Sequence, residues 1–331
     1  METRKIQRVG GGTYTVSIPV DWAEAHGIEA GGTAYLYTHR DGSLVVRWDE
    51  KENSELAAVE IDLDGADPSV AKRTLTTAYA AGFKRILLCD RDGMAAEQRR
   101  AIESRVRGLT GLDVVEEGDS HVAVREMLDA ADVSIRQSTI QLQFVVTSMY
   151  EAAMDLLTGE TTEPDRVIGR RSEVDRIFRL VERHLHRALS DLAALDQLGM
   201  TRSELFEYYT AARQLERIAD RAVEIARRER RTERAVPEEL SAELREIGED
   251  THRSIESAAE AVINGAPRET VHSILDRCEG IVEETRRLDR TLARRDPAEA
   301  YPLSRNLSDV VQIAEHSRNI ASVRLRASLR S

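Results

Sequence analysis

The sequence predicts a multidomain protein: a strand-rich head, a small α/β middle layer of order βαβαββ, and an all-α C-terminal pair of three-helix bundles. Three observations carry this. Period-two alternation follows a glycine-marked turn near the start of the chain, with Tyr14, Val16 and Ile18 alternating with Thr13, Thr15 and Ser17. A short apolar run, Ile86-Leu87-Leu88-Cys89, lies between two helical patterns, as a buried strand does. Beyond residue 126, six long helical patterns follow with two similar sets of breaks, which points to an internal duplication. At 331 residues the chain exceeds what one typical core organises. The implied domains are 1–52, 53–126, 127–234 and 235–331.

Composition sets the outer limits. Aromatic residues make up only 4% of the chain, while Ala, Leu, Glu and Arg dominate, which favours helix. No apolar run is long enough to span a bilayer and no signal-peptide pattern opens the chain, so the expected location is cytoplasmic. Cys89 and Cys278 lack metal-type spacing and read as two buried thiols. The net charge of −12 does not point to nucleic acid. Lys5, Lys51, Lys72 and Lys84 are the only lysines, so nearly all positive charge is arginine. A halophilic source would explain an acidic, lysine-poor surface, and a GC-rich genome would explain the arginine alone.

In the head, Lys5–Val9 and Thr13–Ile18 read as strands joined by Gly10-Gly11-Gly12, with Tyr14, Val16 and Ile18 on one face. Pro19 opens a short helix that carries Trp22 and ends before Gly27. Ala34–Tyr37 and Leu44–Trp48 form a second hairpin around Asp41-Gly42. So few apolar side chains make a marginal core alone, and dimerisation is the expected remedy. The stretch from Arg4 to Pro19, with Trp22, Gly27 and Gly31-Gly32-Thr33, resembles the AbrB/SpoVT family. The resemblance implies a swapped-hairpin β-barrel, a homodimer of interleaved hairpins whose basic residues meet DNA phosphates. Carried over by position, the DNA-binding candidates are Arg4, Lys5, Arg8, Arg40 and Arg47. Such heads also serve as dimerisation modules only, and a thin basic set fits either role.

In the middle layer, Leu56–Ile61 reads as a strand, and Asp67-Pro68 pairs an N-cap with an N1 proline to open a helix that Gly82 stops. Met94–Leu109 reads as a second helix, and Asp113–Glu117 with His121–Arg125 as a hairpin. No phosphate loop or nucleophile elbow occurs here, and Asp90-Arg91-Asp92-Gly93 reads as a polar turn. The layer is a connector, or a sensor of unknown ligand.

The helical patterns run over 132–157, 163–195, 201–231, 237–264, 268–294 and 301–329. Thr201 with Glu204 makes a capping box. Laid on the third pattern, the sixth brings Glu315 onto Glu216 and Asn319 onto Asp220, with the apolar stripe in register. The helix Leu215-Glu216-Arg217-Ile218-Ala219-Asp220-Arg221-Ala222 resembles that of the PhoU phosphate-uptake regulators. Ile313-Ala314-Glu315-His316-Ser317-Arg318-Asn319 is a weaker second copy, and Glu173-Val174-Asp175 resembles the family's other acidic site. The resemblance implies carboxylate-bound metal in some members and control of phosphate uptake through a transporter and a signalling kinase. An AbrB-like head on a PhoU-like body looks like the architecture of archaeal PhoU-like regulators.

Glu216 and Asp220 are i and i+4, so their charges repel and something must compensate. A divalent or iron-type metal on Asp175, Glu216 and Asp220, with Glu315 in the second copy, is one answer. Pairing with Arg213, Arg217 and Arg221, one turn away, is the other. No nucleophile–base pair or dense His/Asp motif supports an enzyme such as a metal-dependent phosphohydrolase. Two readings stay open: a DNA-binding regulator, and a scaffold that acts only through protein contacts.

Overall fold

The computed structural model describes residues 3–38, 42–48, 56–128, 132–190, 192–231, 236, 238–294 and 297–330. The chain divides into two compact units, Met1–Asn53 and Ser54–Ser331.

In the first unit, β1 (Gln7–Val9) and β2 (Thr13–Thr15) pair antiparallel with Arg8 opposite Tyr14. Gly10 takes φ +62°, the left-handed region a tight turn needs. Helix α1 (Val20–Ala25) follows Pro19, and β3 (Tyr35–Thr38) pairs antiparallel with β4 (Leu44–Arg47). The first two strands are shorter than the sequence pattern suggests, because a lone hairpin frays away from its turn. Within the single chain the described strands form two two-stranded sheets. None of the described residues of this unit is buried, and Ile6, Tyr14 and Val16 are 72%, 69% and 59% exposed. Trp22 packs edge-on against Trp48 and stacks on His26.

The second unit begins with a four-stranded mixed sheet of order β5-β6-β8-β7. Strand β5 (Ala58–Asp62) runs parallel to β6 (Arg85–Cys89), while β7 (Leu112–Glu117) and β8 (His121–Glu126) continue antiparallel. Helices α2 (Pro68–Ala81) and α3 (Ala96–Arg107) pack on each other and close a core around Leu75, Tyr79, Ile86, Leu88, Ile102 and Val124. Asp67 caps α2 through Ser69 N, and Gly82 ends it at φ +100°. The Asp90 carboxylate is buried inside its turn. It accepts from Gln98, Gly65 N and Asp92 N, bonds that hold it below the usual carboxylate range. The turn is therefore a structural knot as well as a polar loop.

The helical part opens with α4 (Ile135–Thr158), capped by Ser134 and ended at Gly159, φ +80°. The single helix anticipated over 163–195 is interrupted after α5 (Pro164–Ile168); beyond that, helix is described as α6 (Arg171–Ser190) and α7 (Leu192–Gln197), on either side of residue 191, which lies outside the described residues. The Gly169-Arg170 step separates the first two. Then come α8 (Arg202–Glu229), α9 (Glu238–Asn264), α10 (Arg268–Leu292) and α11 (Pro297–Ala327). Helix α11 starts four residues earlier than the pattern suggested, because proline is tolerated in a first turn and Pro297 opens the helix rather than breaking it. Helices α4, α6 and α8 pack together, as do α9, α10 and α11. One apolar core runs through all six, from Ile135 to Ala321, since α4 packs on α9 and α8 on α11. No described helix is long and apolar enough to cross a membrane.

The α/β layer is locked to the helices by α6. The Arg183 side chain is 1% exposed and donates to the Tyr79 and Phe83 carbonyls at 2.7 and 2.9 Å and to Glu126 at 3.1 Å. Its guanidinium also lies over the Tyr79 ring. Arg187 donates to both Glu126 oxygens at 2.9 Å. A Cβ on Gly82 would lie 2.6 Å from Arg187 Cγ, so only glycine lets α6 approach this closely. Breaking such a buried pair costs about 3–5 kcal/mol. Arg183→Ala is expected to destabilise by about that amount in denaturant unfolding, and Gly82→Ala by roughly 1–3 kcal/mol through overpacking and strain. A surface Arg85→Ala, at a solvent-exposed pair with Glu116, should change stability by less than about 1 kcal/mol.

Candidate functional site

The apolar stripe of α8 turns Leu215, Ile218, Ala219 and Ala222 into the core and carries Glu216 in with them. Glu216 is 4% exposed. Arg171, the first residue of α6, bridges the acid pair: NH2 meets Glu216 Oε1 at 3.1 Å, and Nε meets Asp220 Oδ1 at 2.6 Å. Arg213, one turn back on α8, reaches Glu216 Oε2 at 2.8 Å. Two carboxylates that repel along one helix are thus neutralised by two guanidiniums, one from each of two helices. Of the three arginines suggested by sequence, Arg213 alone binds this pair; Arg221 turns to Asp309 on α11. Arg171, the main partner, lies 45 residues before Glu216, and no local pattern in the sequence links them.

Asp175 is held elsewhere. Arg105 of α3 reaches its Oδ2 at 2.9 Å and Arg179 its Oδ1 at 3.2 Å, so this acid ties the helices to the α/β layer. Among the described residues, no group of three or more His, Cys, Asp or Glu is arranged to hold a metal ion. Asp175, Glu216 and Asp220 are therefore not brought together as a ligand set. A cation on Glu216 and Asp220 would require Arg171 to leave, because the guanidinium occupies the space between the two carboxylates.

The second copy differs. Glu315 is partly exposed and, among the described residues, its ion pair is with Arg286, at 4.0 Å. His316 Nδ1 lies 2.8 Å from Gln214 Oε1, which also accepts from Asn319 at 3.4 Å. Burial, with Arg221 and Arg217 nearby, pushes His316 down to about 4. It is a neutral imidazole at neutral pH, hydrogen-bonded across the contact between α8 and α11. His184, between Arg183 and Arg187, is pushed down to about 3 by burial and both arginines.

In the head, Arg8 donates to Gly11 O at 3.3 Å and Lys5 is exposed, whereas Arg47 is half-buried with its guanidinium over the Tyr37 ring. Arg4 is exposed. Arg40 lies outside the described residues.

A small strand-built head followed by a mostly helical region is the class of protein these elements define. Residues 139–228 match the PhoU domain family, and residues 7–55 match the family described as antidote-toxin recognition MazE, bacterial antitoxin. The chain thus combines a PhoU domain with a MazE/AbrB-type N-terminal domain. No curated protein matches the chain. Among solved structures, PhoU from Pseudomonas aeruginosa superposes with a TM-score of 0.52 at 19% identity, covering 60% of this chain and 96% of that one. The phosphate transport system regulatory protein PhoU from Streptococcus pneumoniae gives 0.48 at 14% identity, covering 60% and 94%. The former likeness shows a shared fold.

Two outcomes are expected. Arg171→Met strands Glu216 and Asp220 beside one remaining arginine and should cost about 3 kcal/mol, most of which returns in Arg171→Met/Glu216→Gln, read by a double-mutant cycle. Stability should also fall as pH drops below about 6.5. There the unfolded chain protonates histidines that the folded chain keeps neutral, His316 until about pH 4 and His184 until about pH 3. Between about pH 6.5 and pH 5, before most carboxylates titrate, His184→Leu/His316→Leu should flatten that slope in calorimetric scans.

Proposed function

We propose that this protein is a phosphate-responsive regulator of phosphate uptake that acts in the cytoplasm as a homodimer. The head pairs two chains and contacts DNA, and the helical body senses and binds partners. The observation that carries the reading is the union in one chain of a MazE/AbrB-type domain with a PhoU domain. The absence of any buried residue in the described head supports dimerisation, since Ile6, Tyr14 and Val16 gain a core only from a second copy. Arg4 and Lys5 just before the first hairpin, Arg8 within it and Arg47 on β4, with Arg40 outside the described residues, are the candidate basic set for phosphates.

The second reading is a scaffold that leaves DNA untouched and controls a phosphate transporter or kinase by protein contact. The net charge of −12 and the half-buried Arg47 on Tyr37 favour it. A carboxylate-bound divalent or iron-type metal at Glu216 and Asp220, in the space that Arg171 would have to vacate, is a further part of the first reading. Elemental analysis of the wild type against Glu216→Gln tests it, and equal metal content would remove Glu216 as a ligand.

Sedimentation should give a dimer, and Tyr14→Asp/Val16→Asp a monomer. Retardation of promoter DNA beside phosphate-transport genes should weaken in Arg4→Ala/Lys5→Ala/Arg8→Ala. The log–log salt slope should also drop by about 0.9 for each DNA phosphate that the variant no longer neutralises. No retardation at any salt concentration would sink the DNA-binding part and favour the scaffold. Phosphate-transport transcripts that are unchanged in a deletion strain, under both phosphate excess and starvation, would count against both.

A further inference from the structure

Where α6, α8 and α11 meet, a polar pocket of about 300 Å³ opens, lined by five arginines: Arg171, Arg221, Arg227, Arg228 and Arg305. The acids on the same wall are Asp220, Glu224 and Asp309. The lining holds more arginines than acids, in a chain whose net charge is −12. The acids are engaged. Asp309, 4% exposed, accepts from Arg221 at 3.4 Å and Arg228 at 2.9 Å. Asp220 accepts from Arg171 at 2.6 Å, and Glu224 from Arg227 at 2.8 Å. Arg228 also donates to Asn306, which in turn donates to Glu229. Arg305, exposed on the rim, makes no ion pair among the described residues. The Arg171 NH1 atom is buried and has no hydrogen-bond partner.

Guanidinium forks match tetrahedral oxyanions in a bidentate way, and a pocket that concentrates positive charge on an acidic molecule selects its ligand by charge. We propose that this pocket binds a tetrahedral oxyanion of the phosphate class, which accepts from Arg305 and Arg227 at its rim. Because the ligand would touch α8 and α11 together, its binding tightens the contact between the two halves of the helical core. As an effector site, the pocket rests on the regulatory reading above; as an anion site, it rests only on the geometry.

Calorimetric titration of the full-length protein with inorganic phosphate, at an ionic strength held constant with sodium chloride, tests it. One saturable site per chain is expected, and Arg227→Ala/Arg305→Ala should weaken it about tenfold or more, since each removed partner is a charge-assisted donor. Both positions are on the rim, so the fold should persist, as a normal unfolding transition would show. Arg245→Ala/Arg253→Ala, in a separate pocket between α4 and α9, should leave phosphate binding unchanged. Absence of saturable heat, or equal affinity in the rim variant, would overturn the proposal. So would equal weakening by the α4–α9 variant. Transcript profiling is a separate readout: a pocket that binds phosphate in a protein without effect on transport genes would refute the effector role and leave the anion site standing.

Discussion

The second compact unit depends on one buried cation. Arg183 reaches from α6 to the C-terminal end of α2, where it donates to the Tyr79 carbonyl, which also accepts from Gly82 N, and to the Phe83 carbonyl just beyond the helix, and it meets Glu126 at the end of β8. A guanidinium with 1% exposure is tolerable only because each side of it finds an acceptor or the Tyr79 face. The positions of α2, β8 and α6 are therefore set together. Glycine at 82 is the steric condition for that arrangement, since any side chain there would meet Arg187. Arg105 with Asp175 adds a second tie between α3 and α6.

This explains an unusual feature of the composition. An acidic protein with almost no lysine places its arginines where planar, multiply donating groups can be satisfied on several sides. Arg171 holds two carboxylates at once, Arg183 two carbonyls and a carboxylate, and Arg228 an aspartate and an asparagine. A lysine ammonium offers no such fork, and substitution at these positions would not be conservative.

Much of the architecture was legible from local signals. Asp67-Pro68, Gly82, Gly159 and the Thr201–Glu204 box mark helix ends by mechanisms that act within a few residues, and the helices start or stop there. The alternation around Gly10 places the first hairpin, although its length depends on cross-strand partners that the turn cannot specify. What the sequence could not reveal was which charges meet. Glu216 and Asp220 stand out as a like-charged pair at one helical turn, yet their compensating group is Arg171, from another helix. Asp175 carries an acidic motif, but its neighbours are Arg105 and Arg179. Long-range pairing of charges is a property of packing, and an arginine-rich chain offers too many equivalent partners for spacing alone to choose among them.

The helix pairs that join the two halves, α4 with α9 and α8 with α11, unite elements in corresponding positions. That is the relation two subunits have across a twofold axis. In a true homodimer every substitution appears twice, so a change that suits one side is imposed on the other. Within one polypeptide the two sides mutate independently. Glu216 with Asp220 is an acid pair closed by Arg171, while Glu315 with Asn319 sits beside a neutral imidazole and a glutamine amide. Two halves on one chain need not obey symmetry, so the charge that one carries has no counterpart imposed on the other.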